Sequence, residues 1–572
     1  MIAKMTKYSF ILLKGDEEGF LQKVRENGLV DITREAKPVD ERSAALLAEA
    51  GRRKAVIPEA QAELQAASSR LEAARKEAEA VKPWGAFTEA DLARLDEAGL
   101  QLHWYSMQKK RFNESWKESW PIEEISSDDK TIRFVAVTPK GEDNPLPVKE
   151  IPAPKGDYAA ARQHIAELEQ EQKEAQAKLE ALQAESDKIE AEYQKALSEL
   201  DLYLAGVAAV PAADGALSTF VGYAPAESDE AVTATLDASG VFYLKEAAVT
   251  EDNPPISFRN NRFVKMFEVL TDMYGRPAYD GFDPTPFISV FFLLFFAFCM
   301  GDAGYGLILI AIGLALKKVK GFSDLSPLVV TLGIGTFVIG FLFHTFFSID
   351  ISTWSIFAPI KKIFLPSKIA GYDGTMVLSL IVGVLHISLA MIVKTIKETS
   401  HKGFLGSLGT WGWTLLIVGG VAVGAAFLAG VLDAALTKWI IIGIGSLSAI
   451  GIFLLNDIHR NPFVNIGSGL WDTYNMASGL LGDVLSYLRL YALGLAGSML
   501  GMAFNSIGSM ILGDGHNIFL WIPFLLIVIV GHTLNIAMAA LGAFVHPLRL
   551  NFLEFFKNSG YEAAGRKYSP LK

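Results

Sequence analysis

From Phe287 onward the chain is dominated by apolar segments of membrane-spanning length, for which about 20 residues suffice. Charge follows the same division. Residues 1–283 carry 35 Lys and Arg against 51 Asp and Glu, net −16, whereas residues 284–572 carry 17 against 12, net +5. Such a chain joins a soluble acidic domain, residues 1–283, to a membrane domain, residues 284–572.

Eight spans are expected, at roughly 286–301, 303–316, 326–347, 374–393, 406–431, 438–455, 473–511 and 517–556. The first two are short and joined at Gly301-Asp302, so they should form a hairpin. The last two exceed what a bilayer needs and must tilt or protrude. Lys317, Lys318 and Lys320, then Lys394, Lys397 and Lys402, then Lys557, Arg566, Lys567 and Lys572 fall on one side. Asp302, Asp433 with Lys438, Asp514 and a loop with Lys361, Lys362 and Lys368 fall on the other. This bias puts both termini in the cytoplasm. The opening MIAKMTKYSFILLKGDEEGF reads as a strand rather than a secretory signal. With Cys299 the single cysteine, no intrachain disulfide forms.

In the soluble part, Met5–Leu13, Asp16–Asn27 and Leu29–Thr33 read strand, helix, strand, and Ser218–Tyr223, Asp229–Ala238 and Val241–Leu244 repeat the pattern. The two halves can share one α/β lobe, residues 1–35 with 211–283. Between them, Ile57, Ala60, Leu64, Ala67, Leu71, Ala74 and Ala78, and later Ile165, Leu168, Gln172, Ala175, Leu179, Leu182, Ser186, Ile189, Tyr193, Ala196 and Leu200, recur in steps of three and four. They predict an antiparallel coiled-coil hairpin with arms 36–83 and 157–210. Pro58 should start or kink the outgoing helix. Residues 84–156, with Trp84, Trp104, Trp116, Trp120 and the strand-like run Thr131–Val137, should form a distal lobe.

Arg489 lies inside the apolar run 482–504. A charge at the bilayer centre costs at least about 2.5–3.5 kcal/mol, so it should face protein or water and serve an ion or substrate pathway. Gly482, Ser486, Leu493, Ala496 and Leu500 share its face, with Gly497 and Gly501 beside it, and this mostly small surface admits a close partner helix. Asp483 lies roughly 120° off that face and is a poor intrahelical partner for it. In the last span His532, Asn535, Ala539, Gly542, His546 and Arg549 make one polar and small stripe, with Pro547 loosening the same helix. Some of the intramembrane polar residues have a plain structural alternative, although Arg489 does not. His344 and His386 suit helix-packing hydrogen bonds, while Glu554, Asp472 and Arg549, near helix ends, can snorkel to water. The sequence holds no phosphate loop, Cys/His metal spacing or nucleophile-base motif.

The start MIAKMTKYSFILL, the stretch NPPISFRNNRFVKMFEVLTDMYGRPAYDGFDPTPF, the hairpin CMGDAGYGL and above all SYLRLYALGLA and HPLRLNFLEF resemble the membrane stator subunit of rotary V/A-type ATPases, called subunit a in eukaryotes and subunit I in prokaryotes. The prokaryotic form is the closer resemblance, and it runs along the whole chain. It implies a non-catalytic subunit without cofactors that forms two ion half-channels against the rotor proteolipid ring. Arg489 falls on the arginine facing the ring carboxylate, Arg549 on the second arginine, and Glu554 on the acidic residue near the cytoplasmic half-channel. Asp483, Ser486, His532, Asn535 and His546 complete the expected ion path. Eukaryotic members carry a His and a Glu where this chain has Gly497 and Ala539, so the outer lining falls to residues such as His532, Asn535 or Asn505. Further implied partners are peripheral-stalk coiled-coil heterodimers, a central-stalk cap subunit, the bilayer and a translocated proton or sodium ion, with no nucleic acid. Arg489 would favour the ionised ring carboxylate and so force ion release. Two other readings remain at this level: a secondary ion-coupled transporter with a regulatory rod, although no paired halves are visible, and a membrane tether for a coiled-coil partner.

Overall fold

A computed structural model describes all residues except 36, 86, 88, 142–144, 154–157, 320, 357–358, 360–363, 367, 370, 457–460 and 514–517. Lys320, Lys361, Lys362 and Asp514, used above for orientation, lie outside the described residues. The chain divides into two compact units. One is Leu13–Glu26, Thr33–Phe220 and Leu571–Lys572, and the other is Met1–Leu12, Asn27–Ile32 and Val221–Pro570.

The first unit is built on long helices. Glu41–Val81 starts at Asp40, whose carboxylate accepts the Ser43 N–H while the Ser43 hydroxyl accepts that of Asp40, a reciprocal cap that satisfies two orphan donors. The helix therefore starts well before Pro58 and runs through it, because the cap sets the start and the proline removes only one backbone donor. The returning arm is two helices, Tyr158–Ala184 and Ser186–Val207. The arms run antiparallel: Arg53 meets Glu192, Lys178 meets Glu63, Arg70 meets Glu171 and Arg75 meets Glu169. Ala60, Ala67, Leu71, Ala74 and Ala78 are buried on one arm, and Leu168, Ala175, Leu179, Ala196 and Leu200 on the other. Residues between the arms fold into a three-stranded antiparallel sheet ordered Leu100–Gln108, Thr131–Pro139, Ile122–Ser127. Tyr105 stacks on Phe134, and Trp84 meets Trp104 edge-on at 5.3 Å.

In the second unit, the strand residues 221–225 lie between Asp31–Ile32 and the strand residues 5–12, with Phe242–Ala247 beyond. Strands from the two ends of the soluble sequence thus interleave in one sheet. Among the described residues, six helices are long and apolar enough to cross a membrane: Ser323–Leu342, Gly374–Gly406, Leu408–Leu428, Ala434–Phe453, Phe463–Leu512 and Ile518–Ser559. Two shorter apolar helices, Thr285–Met300 and Ala303–Leu316, precede them and turn at Gly301 and Asp302. Six of the eight expected spans therefore reach membrane length. Ala303–Leu316 packs on Ser326–Leu342 backbone to backbone, and a Cβ on Gly340 would come 2.2 Å from the Ala303 amide nitrogen. The last two spans cover 50 and 42 residues. The first is interrupted at Tyr487, between helices Pro462–Ser486 and Leu488–Leu512. The second runs as Trp521–Arg549 and then loosens into a π-helical turn, Leu550–Phe555. Pro547 lies three residues ahead of this turn and withholds one i→i−4 donor, and Asn551 Nδ2 donates to its carbonyl at 2.9 Å.

Candidate functional site

Helices Leu488–Leu512 and Trp521–Arg549 lie side by side. Asn505 meets His532, Asn535 reaches the Gly497 carbonyl and Leu493 approaches Gly542, so one sequence number rises as the other falls and the pair is antiparallel. This register brings the two sequence patterns together and sets Arg489 at the level of His546 and Arg549. Between this charged level and Asn535 lie small positions, Gly497, Ala539 and Gly542.

Polar groups gather at both ends of the pair. At one end His532 is buried, with Nδ1 on the Tyr305 hydroxyl at 2.7 Å and Nε2 on Asn505 Oδ1 at 3.0 Å. Asn535 Nδ2 donates to the same hydroxyl and to the Gly497 carbonyl, both at 2.8 Å. Asp302 holds this end in shape, its carboxylate accepting the backbone N–H groups of Tyr305, Phe347 and Ser348. At the other end Glu554 is 4% exposed and its Oε2 has no partner among the described residues. Ser486 lies beside that carboxylate while its hydroxyl donates to the Gly482 carbonyl. Asp483 receives Lys557 at 3.2 Å and Asn558 at 2.8 Å, which occupies it away from Arg489.

Arg489 is half-buried. Its Nη1 is sealed from solvent with no hydrogen-bond partner, and among the described residues the guanidinium has no ion pair. Burying an unpaired donor of a charged group costs about 1–3 kcal/mol or more, so the site is incomplete electrostatically.

Residues 219–354 match the V-type ATPase 116kDa subunit family. The A-type ATP synthase subunit I of Methanocaldococcus jannaschii is 33% identical over 362 residues, 58% of this chain and 50% of the relative. That of Pyrococcus horikoshii is 30% identical over 348 residues, again 58% and 50%. The V-type ATP synthase subunit I of Borreliella burgdorferi is 27% identical over 377 residues, 62% and 60%. The chain resembles subunit I of A/V-type ATP synthases. It spans about half the length of the archaeal relatives it matches.

The family match covers the Asp302–Tyr305 end of the site, while Arg489 and Glu554 lie beyond it. Of the residues singled out in the sequence, Arg489, His546 and Arg549 share one level, Asp483, Ser486 and Glu554 one end, and Asn505, His532 and Asn535 the other. Glu554 is buried rather than snorkelling, and Arg549 is exposed. His344 bonds Asp350 and His386 bonds Tyr487, the packing role open to both from the sequence. Tyr305, the hub of the His532, Asn535 and Asn505 network, was not singled out, although it is a lone phenol among the apolar and glycine residues of CMGDAGYGL. Lys557 and Asn558 were missed as partners of Asp483.

Proposed function

We propose that this chain is the stator subunit of a rotary V/A-type ATPase, forming two ion half-channels against a proteolipid ring and joining the membrane sector to peripheral stalks. The observation that carries this reading is Arg489, a partly exposed guanidinium without an ion pair among the described residues, on a helix face of small residues. Such a cation calls for an anion supplied by another chain, and a ring carboxylate passing that face fits. A ring carboxylate that carries its ion is nearly neutral and tolerates lipid. Opposite Arg489 the ionised form is favoured and the ion leaves.

The two polar ends supply the routes. The Asp483, Ser486 and Glu554 group would open toward the cytoplasm, and the Asn505, His532, Tyr305 and Asn535 chain toward the outside, with Arg489 and the small-residue stretch between them blocking direct leak. The hydrogen-bonded chain takes the place of the His and Glu that eukaryotic members carry at the Gly497 and Ala539 positions. In this reading eight helices sit in the bilayer, the first two as a short buried hairpin, and both termini are cytoplasmic. Residues 1–283 form two lobes, 1–35 with 211–283 and 84–156, joined by coiled-coil arms 36–83 and 157–210 that hold stalk heterodimers, with a central-stalk cap subunit in reach. ATP turnover belongs to other chains, and the cargo is a proton or a sodium ion.

Arg489→Ala in the assembled complex should abolish ATP-driven ion transport while subunit content stays normal, because the small-residue face still packs. Ion uptake by reconstituted vesicles measures this. Normal coupled transport in that variant rules the reading out.

A further inference from the structure

Two irregular points flank the charged residues of this site, the interruption at Tyr487 and the π-turn Leu550–Phe555, and one side chain touches both. His386 is fully buried in helix Gly374–Gly406. Its Nδ1 lies 2.9 Å from the Tyr487 hydroxyl. Its ring stacks on Phe555, with centroids 4.8 Å apart and planes 9° from parallel, and Phe291 covers it at 4.1 Å. On the same helix Gly383 leaves the space the Tyr487 ring fills, since a Cβ there would come 2.4 Å from Tyr487 Cγ. Tyr487 is two residues before Arg489, and Phe555 follows Glu554 directly.

The other imidazole nitrogen, Nε2, is buried without a partner among the described residues. An apolar ring would fill this cage without that penalty. What a histidine adds over phenylalanine is the bond to Tyr487, so its presence follows from positioning rather than from packing. We propose that His386 is a positioning residue that, by holding Tyr487 and Phe555 together, fixes the Arg489 guanidinium relative to the Glu554 carboxylate. Held groups act with far less reorganisation than loose ones, and misplacement by an ångström is felt strongly in function. The proposal rests on the ion-translocation reading above.

The test uses the assembled complex in vesicles and reads ions moved per ATP hydrolysed. Tyr487→Phe removes one hydroxyl and keeps the ring against Gly383. His386→Phe keeps the stack and removes the nitrogens. Each should lower the coupling ratio about tenfold, with subunit content unchanged. The double variant should be no worse than either single one, since both delete the same bond. Normal coupling in Tyr487→Phe overturns the proposal even where His386→Phe fails to assemble, and so does a further additive loss in the double variant. Arg489→Ala run in parallel separates the two ideas. Normal transport there defeats the ion-translocation reading itself, whereas dead transport there beside normal coupling in Tyr487→Phe defeats only the positioning role.

Discussion

Arg489 and Arg549 look alike in the sequence, each on a membrane helix with small neighbours, yet their surroundings differ. Arg489 has a guanidinium nitrogen closed off from solvent and without a partner among the described residues, whereas Arg549 is exposed at the end of its helix. An exposed charge contributes little through any one contact, so Arg549→Ala should reduce coupled transport about two- to fivefold, the equivalent of ~0.5–1 kcal/mol. An unchanged rate in the same vesicle assay would leave Arg549 as a side chain that merely reaches water. The unusual placement of Arg489 was legible because a charge inside a spanning segment is costly wherever it points. Tyr305 and His386 were not legible in that way. Tyr305 meets a partner 227 positions away and His386 one 101 positions away, and a single phenol or imidazole in an apolar helix carries no sign of which distant helix it will face.

Elements were readable where local chemistry fixes them and less so where tertiary packing decides. The strand and helix of Met5–Leu13 and Glu17–Asn27 follow from alternation and periodicity, and the two long C-terminal spans from apolar length. The start of Glu41–Val81 falls within the expected arm 36–83 and is set by the Asp40 and Ser43 cap, and of the two roles open to Pro58 the structure excludes the start, since the proline lies inside the helix. The interruption at Tyr487 leaves no mark in SYLRLY, which contains neither Pro nor Gly, because the ring pocket that receives it belongs to another helix. Close backbone approach has a similar hidden cost. Gly340→Ala places a methyl group against the main chain of Ala303, and the helices must move apart at a cost of about 1–3 kcal/mol. The expected result is a lower unfolding temperature of the solubilised protein. Unaltered thermal stability would mean that the Gly340–Ala303 contact has room for a methyl group.

Across the second unit, the segment beyond the last membrane helix returns to the soluble sheet. Gly565 N–H donates to the Arg276 carbonyl, Ile256 N–H to Arg566, and Tyr568 N–H to Ile256, while Arg566 reaches the fully buried Asp31. Asp272 ties the segment down through Lys567 and also holds Arg276. Burial pushes the Asp272 carboxyl up, but the bonds from Arg276 and Lys567 outweigh it and hold the group below its usual range. A carboxyl depressed on folding stabilises above its unfolded pKa, about 4 for Asp, and this contribution is lost as pH falls through the folded value. Hydrogen exchange at 563–570, corrected for its intrinsic pH dependence, should therefore accelerate as the solution is acidified below about pH 4. Asp272→Asn should flatten that response. An unchanged response in the variant would assign the effect to another group. The interleaving of strands from the two ends of the soluble sequence was foreseeable from their matching patterns, but this returning segment was not, since GRKYSP has no strand periodicity.

That returning segment also has a mechanical meaning. Its backbone bonds to residues 256 and 276 and its ion pairs to Asp31 and Asp272 follow directly on the helix that carries Arg549 and Glu554. In the proposed stator reading, a tangential pull on that helix by a turning rotor would be shared among several anchors rather than borne by one. Elastic slack would then be small where the ion is exchanged, and drag from the rotor would reach the soluble sheet as stress.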